Sequence, residues 1–259
     1  MWQKHKFEEN KIYTAKIGFT RFWVEKQQKI WRIAYRNEEE QKPSLNDSLE
    51  EVSSLPDNIS WNQFIADKQN TIQFAPSLPD RPVVIKPEIP FTIMAGTSLN
   101  IYIKIPLWIW LYSSSVKPEN LLYEIVSTEL SSTWFGDPTS GELAYSIQSG
   151  IVQNLTEISL APNEAVCPIQ IRNESLSILH FQRLSIDVTQ LNIYANQNMI
   201  CTNEVKVRFR GEEQNTEVQI IQSNPSFQED LKLIGNARNL PDKSLFRRSF
   251  YFIKSFTQY

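Results

Sequence analysis

The side chains able to do covalent chemistry are few. Two cysteines, Cys167 and Cys201, and two histidines, His5 and His180, stand in a chain of 259 residues. One nucleophile set can be composed from them: Cys167, with His180 as base and Asp187 to orient it. A thiol needs such a base to react as thiolate near neutral pH. The neighbouring residues do not support the set. His180 lies in Leu179-His180-Phe181, a strand-like context in which a structural histidine is the commoner finding. A zinc centre needs three or four ligands, and no paired Cys/His spacing occurs, so no metal is expected. Only seven glycines are present, and neither the dinucleotide nor the P-loop pattern is found, so no cofactor is expected. Acidic runs such as Glu38–Glu40 and Glu212–Glu213 read as solvated faces. A glycosidase-type carboxylate pair stays open, because its members need not be neighbours in sequence.

The most distinctive stretch is Ser131-Ser-Thr-Trp-Phe-Gly-Asp-Pro-Thr-Ser-Gly-Glu-Leu-Ala-Tyr145. Asp137-Pro138 favours a turn, and Asp137 can accept a hydrogen bond from the backbone two residues on. Gly136 and Gly141 permit positive φ. The ordinary use of such a sequence is a structured hairpin loop with Trp134 packed into the fold. The functional one is a binding loop presenting Trp134, Asp137 and Glu142.

These residues need strands to hold them, and the chain supplies many. Over residues 1–36, Ile12, Thr14 and Lys16 interleave with Tyr13 and Ala15, and Ile30, Arg32, Ala34 and Arg36 alternate with Trp31, Ile33 and Tyr35. Period-2 alternation of β-branched and aromatic residues predicts strands, with a hairpin turn at Gln27-Gln28. Residues 37–59 read as a polar linker. Ser60 is a plausible N-cap for a short helix through Trp61, Phe64 and Ile65. Five prolines between Pro76 and Pro90 predict an extended connection, with an edge strand at Val83-Val84-Ile85. From Phe91 to Ile221 short apolar clusters alternate with turn residues, and Gly211–Asn215 reads as a hairpin turn. The expected architecture is mainly β, an antiparallel β-sandwich with a few short helices. Its organisation reads as 1–75, N-terminal strands with a linker and short helix packed on the main sandwich. A Pro-rich connection follows at 76–90, then a sandwich core at 91–225 and a C-terminal extension at 226–259. In that extension Leu245, Ser249, Phe252 and Phe256 share one helical line after Pro241-Asp242, predicting an amphipathic helix. Its Arg247, Arg248, Phe250 and Lys254 form a candidate surface for a partner or a membrane.

Composition narrows the classes. Hydrophobic residues make up 41% and charged ones 21%, a globular balance. The net charge of −3 excludes the broad basic field of a nucleic-acid binder, so no nucleic acid is expected. Ile105–Tyr112, the longest apolar run considered, is far shorter than the ~20 residues of a spanning helix and reads as a buried strand. Two cysteines exclude a disulfide scaffold, though one bridge stays open. The residues after Met1 lack the apolar stretch of a signal peptide. A reducing, cytoplasmic setting is therefore expected, and the triplets at Asn58, Asn154 and Asn173 are read as chance matches to the glycosylation pattern.

The stretch Trp134–Tyr145, with Ile105-Pro-Leu107 upstream and Tyr145-Ser-Ile147 after it, resembles the signature of the domain-of-unknown-function family numbered 432. The likeness covers roughly Phe91 to Arg210. It implies a prokaryotic source and no established activity, and it carries no catalytic residue onto this chain. The function expected from these readings is a non-enzymatic binding or assembly module with a protein partner or a second copy. The alternatives are a carbohydrate-active or hydrolytic enzyme using carboxylates such as Asp137 and Glu142, and a peripheral membrane protein using residues 244–256.

Overall fold

The computed structural model describes residues 1–38, 43–45, 48–66, 69–147, 150–211 and 216–239. The fold is mainly β, as expected. Among the described residues the helical segments are three 3-10 turns, at Pro118–Asn120, Leu155–Glu157 and Val188–Gln190. The helix expected from Ser60 is a correction: Asn62–Ile65 is a strand, pairing antiparallel with Ile30–Ile33. The unpaired edge of the neighbouring hairpin offers backbone partners that a one-turn helix cannot match. The expected C-terminal helix, with Arg247, Arg248, Phe250 and Lys254, lies outside the described residues. Among the described residues no helix is long and apolar enough to cross a membrane.

The chain forms two compact units, each discontinuous in sequence. One comprises Met1–Ser77, Pro106–Glu129 and Ala161–Glu164; the other comprises Leu78–Ile105, Leu130–Leu160 and Ala165–Tyr259. The apolar run at 105–112 spans a change between them. Strand Ser98–Pro106 ends, Leu107 breaks the ladder by donating its N–H to Asn163 O at 2.7 Å, and Trp108–Tyr112 begins a new strand.

The first unit has two sheets with one core. Ile12–Gly18, Thr20–Gln27, Ile30–Asn37 and Asn62–Ile65 run in that order, with Ser44–Leu45 and Glu50–Val52 also on Ile12–Gly18. The second sheet is Lys4–Lys6, Thr71–Ser77, Trp108–Tyr112 and Leu121–Ile125. Alternation puts Ala15, Ile17, Phe22, Val24, Trp31 and Ile33 of the first against Ile72, Phe74, Ile109, Leu111 and Ile125 of the second. Each buried Val, Leu, Ile or Phe side chain among them contributes about 1.5–3 kcal/mol. The Gln27–Ile30 hairpin forms as expected, with Gln28 at φ +51°. On the core-facing side of Thr20–Gln27, Lys26 is fully buried, its Nζ 4.7 Å from the Trp31 ring centroid and, among the described residues, without a hydrogen-bond acceptor.

The second unit holds three sheets. The largest centres on Glu164–Asn173, which runs parallel to Val205–Phe209 and to Ile200–Thr202. A four-stranded sheet runs Ser131–Phe135, Glu142–Ile147, Val83–Ile85, Leu184–Ile186. Val83–Ile85 is thus internal and fully paired, not the edge strand expected from its prolines, because those prolines lie outside the three paired residues. Phe91–Ile93 and Leu179–Phe181 form a two-stranded ribbon, with Phe91 and Phe181 stacked at 4.8 Å.

Candidate functional site

The structure does not assemble the thiol set. Cys167 is fully buried, and burial pushes its thiol up to about 12, whereas His180 is exposed on its ribbon strand. A thiol at that value stays protonated and a sealed sulfur cannot meet an exposed imidazole. Asp187 is engaged in capping: its Oδ1 accepts from Thr189 N–H and Oγ1–H, and its Oδ2 from Gln190 Nε2–H. Cys201 is likewise pushed up to about 12 by burial. Val166 pairs with Cys201 and shares its apolar cluster, so Cys167, the next residue, points to the opposite face beside Thr202. The two sulfurs cannot bridge from opposite faces, and both cysteines are free. His5 bonds Met1 O and packs edge-on against Phe74, a structural use. Among the described residues no group of three or more His, Cys, Asp or Glu could hold a metal. Lys26 is an amine lowered by desolvation, but at 0% exposure no substrate reaches it.

The distinctive stretch does build a surface. Ser131–Phe135 and Glu142–Ile147 pair antiparallel, placing Trp134 opposite Leu143 and Ser132 opposite Tyr145 on one face. Among the described residues Ser131–Phe135 is the edge of its sheet. Its five residues carry no charge and no proline, so none of the strand's own side chains blunts the edge. Trp134 is 48% and Leu143 44% exposed. Phe135, on the other face, is buried with Val84 and Ala144 under the Arg183 guanidinium.

The turn fixes the indole. Asp137 Oδ1 accepts from Thr139 N–H at 2.9 Å and from Thr139 Oγ1–H at 2.6 Å, the local bonding its sequence predicts. These bonds hold its carboxyl below the usual range. Its backbone oxygen accepts from Gly141 N–H at 2.7 Å and from Trp134 Nε1–H at 3.0 Å. Gly136 takes φ +107°, as expected. Gly141 has no positive φ and is needed for a different reason. A Cβ there would stand 2.5 Å from Trp134 Nε1 and 2.6 Å from Phe135 O. Trp134 and Asp137 are therefore brought together, through the Asp137 backbone. Glu142 pairs with Phe135 and belongs to the opposite face. Asp137, anionic at neutral pH, suits accepting hydrogen bonds and not donating a proton.

Two residues without a signal in the sequence, Asp80 and Arg81, complete the face at Tyr145, the last residue of the stretch. Tyr145 Oη donates to Asp80 Oδ1 at 2.9 Å, and the Arg81 guanidinium lies over the Tyr145 ring at 5.3 Å. Burial pushes the Tyr145 phenol up. Asp80 and Tyr145 are 65 residues apart, joined by the parallel pairing of Glu142–Ile147 with Val83–Ile85.

A second exposed apolar group sits on a rigid turn. Asn173, fully buried, accepts from Ser175 and donates to Ile93 O and Ser177 O, and Leu176 stands fully exposed beyond it. An asparagine used in this way is closed to glycosylation.

Fold and surface together define an all-β protein of layered sheets, with an exposed aromatic held on a hairpin edge. The chain belongs to the family described as Protein of unknown function (DUF432), whose model matches residues 1–254. No curated protein and no solved structure matches it.

Proposed function

We propose that the protein is a non-enzymatic binding or assembly module of the prokaryotic cytoplasm, and that it recognises an extended protein segment along Ser131–Phe135. The carrying observation is the Trp134 indole, half exposed yet fixed by its bond to Asp137 O over Gly141. A fixed aromatic loses little freedom on binding, which is why rigid Trp side chains dominate recognition surfaces. An unblunted edge strand supplies backbone donors and acceptors for an added strand, and Trp134 and Leu143 supply side-chain selectivity. Two thiols that stay reduced in the core support the cytoplasmic setting.

A displayed peptide library panned on the purified full chain tests this. Peptides of apolar and basic character are expected, with affinity falling about tenfold or more in Trp134→Ala and in Ser132→Pro. Enriched peptides that bind Trp134→Ala as well as the parent, or no enrichment at all, sink the reading.

A further inference from the structure

The edge strand is graded in size. Ser131 and Ser132 are small, Thr133 is intermediate, and Trp134 and Phe135 are large. That order is complementary to its own reverse. Outward-pointing backbone groups come from every second residue of an edge strand. Two copies of one strand can therefore pair antiparallel only with the two-fold axis between two copies of one residue. An axis at Thr133 uses all five residues. It sets Trp134 opposite Ser132 of the second copy and Phe135 opposite Ser131 of the second copy, with the two Thr133 side chains facing. Each large ring meets a serine, and a Thr–Thr pair, a favourable cross-strand neighbour, stands at the centre.

The charge pattern agrees. Residues paired about a two-fold axis meet their like, so a charge at its centre repels, and Ser131–Phe135 carries none. The nearest acids along the chain, Glu129 and Asp137, fall beyond its two ends, where salt screens them. The pairing ends where the chain turns at Gly136, φ +107°. Among the described residues the outer side of this strand has no partner strand, and Ser131, Ser132 and Trp134 are exposed.

We infer that Ser131–Phe135 pairs with the same strand of a second copy about a two-fold axis at Thr133, joining the two four-stranded sheets into one. This rests on the reading that the edge accepts an added strand, and it names the strand. Trp134 lies beside Leu143 of its own chain, and across the joint the row continues into Ser132 and Tyr145 of the second copy, which closes over the exposed indole. A partner segment competes with the second copy, so its apparent affinity falls as protein concentration rises.

The test is sedimentation velocity of the full chain from about 1 to about 500 μM, a range suited to an interface this small. A dimer is expected within it, and added salt is expected not to weaken it. Thr133→Glu and Thr133→Lys each put like charges on the axis and are expected to weaken self-association at least about tenfold. An equimolar mixture of the two is expected to restore it, which also shows both variants folded. Under mild oxidation Thr133→Cys is expected to link to its own copy, because facing residues stand about 4.5–5.5 Å apart at Cα, and Ser132→Cys is expected to link far more slowly. Cys167 and Cys201 do not compete, being buried and pushed up to about 12. This cysteine comparison decides the matter where a charged variant fails to fold. A parent monomeric throughout, a dimer that Thr133→Glu leaves intact, or Ser132→Cys linking as fast as Thr133→Cys overturns the inference. A monomer that still enriches peptides leaves the binding reading standing. A dimer linked at Thr133, with no peptide enriched on the parent or on Thr133→Glu, keeps the inference and sinks that reading.

Discussion

Two hairpins of this molecule use tryptophan in opposite ways. In Thr20–Gln27 and Ile30–Asn37, Trp31, on the face that packs the core, is 0% exposed. In Ser131–Phe135 and Glu142–Ile147, Trp134 keeps half its surface in solvent. Both hairpins are antiparallel, and both alternate large apolar with small or polar residues. The difference lies in what surrounds them. The first hairpin is internal to its sheet, with Ile12–Gly18 on one side and Asn62–Ile65 on the other, and a second sheet covers its apolar face. The second ends at an open edge, and its tryptophan is held by its own turn. An aromatic on a strand is therefore core where another sheet meets it and surface where a turn alone holds it.

The largest expected effect comes from truncating each tryptophan. Trp31→Ala opens a cavity among Phe7, Val24 and Ile33 and should destabilise by about 3–5 kcal/mol. Trp134→Ala should cost about 1 kcal/mol or less, while removing most peptide affinity. Denaturant titration of both variants decides it. Equal losses of stability would show that the exposed indole is structural and erase the contrast.

How much of this was legible in the sequence follows the same division. Alternation in Ile12–Gly18 and in Ile30–Asn37 predicted their strands, because a face buried against a second layer writes a period of two. Asp137-Pro138 predicted its turn, since the bonds to Thr139 are local. The spacing of Trp61, Phe64 and Ile65 fits one helical face, while the pairing with Ile30–Ile33 that decides the matter is 29–35 residues away. Parallel pairings, Glu164–Asn173 with Val205–Phe209 and Glu142–Ile147 with Val83–Ile85, leave no local turn to read. Asp80 and Arg81 reach the candidate face only through the second of these. Trp134 was legible as a residue of interest, but its exposure depends on the absence of a covering sheet, which no local pattern encodes.

A smaller effect should come from the glycine beneath the indole. Gly141→Ala places a Cβ 2.5–2.7 Å from Trp134 Nε1, Phe135 O and Asp137 O, two of them backbone atoms that cannot rotate aside. The strain should stay local and lower stability by about 1–3 kcal/mol, with the Trp134 hydrogen bond broken. Peptide affinity should fall with it, although no contact atom has been removed. A variant whose Trp134 amide and indole exchange protection match the parent would show that the turn does not fix the ring, and the contrast with Trp31 would lose its mechanism.

The smallest effect is electrostatic, and it separates the hairpins by pH. Asp137 is lowered in the folded state by its bonds to Thr139, so the unfolded chain binds more protons as pH falls. Its contribution is present above the unfolded value of 3.8 and is lost as pH drops through the lower folded value. Lys26 is lowered too, by desolvation, which gives the same sign of pH dependence but the opposite effect at neutral pH. Between its folded value and 10.5 the unfolded chain again holds the extra proton, so stability rises with pH there, and at neutral pH the buried amine is a net burden. Lys26→Met should therefore leave stability at pH 7 unchanged or higher and flatten the alkaline rise. Asp137→Asn should flatten only the acid loss, weakly, because the carboxylate is solvated. Denaturant midpoints across pH 2–11 for both variants would read each limb separately. A Lys26→Met protein less stable at pH 7 would mean that the contact with Trp31 outweighs desolvation, and that the first hairpin, like the second, depends on a polar group held against its tryptophan.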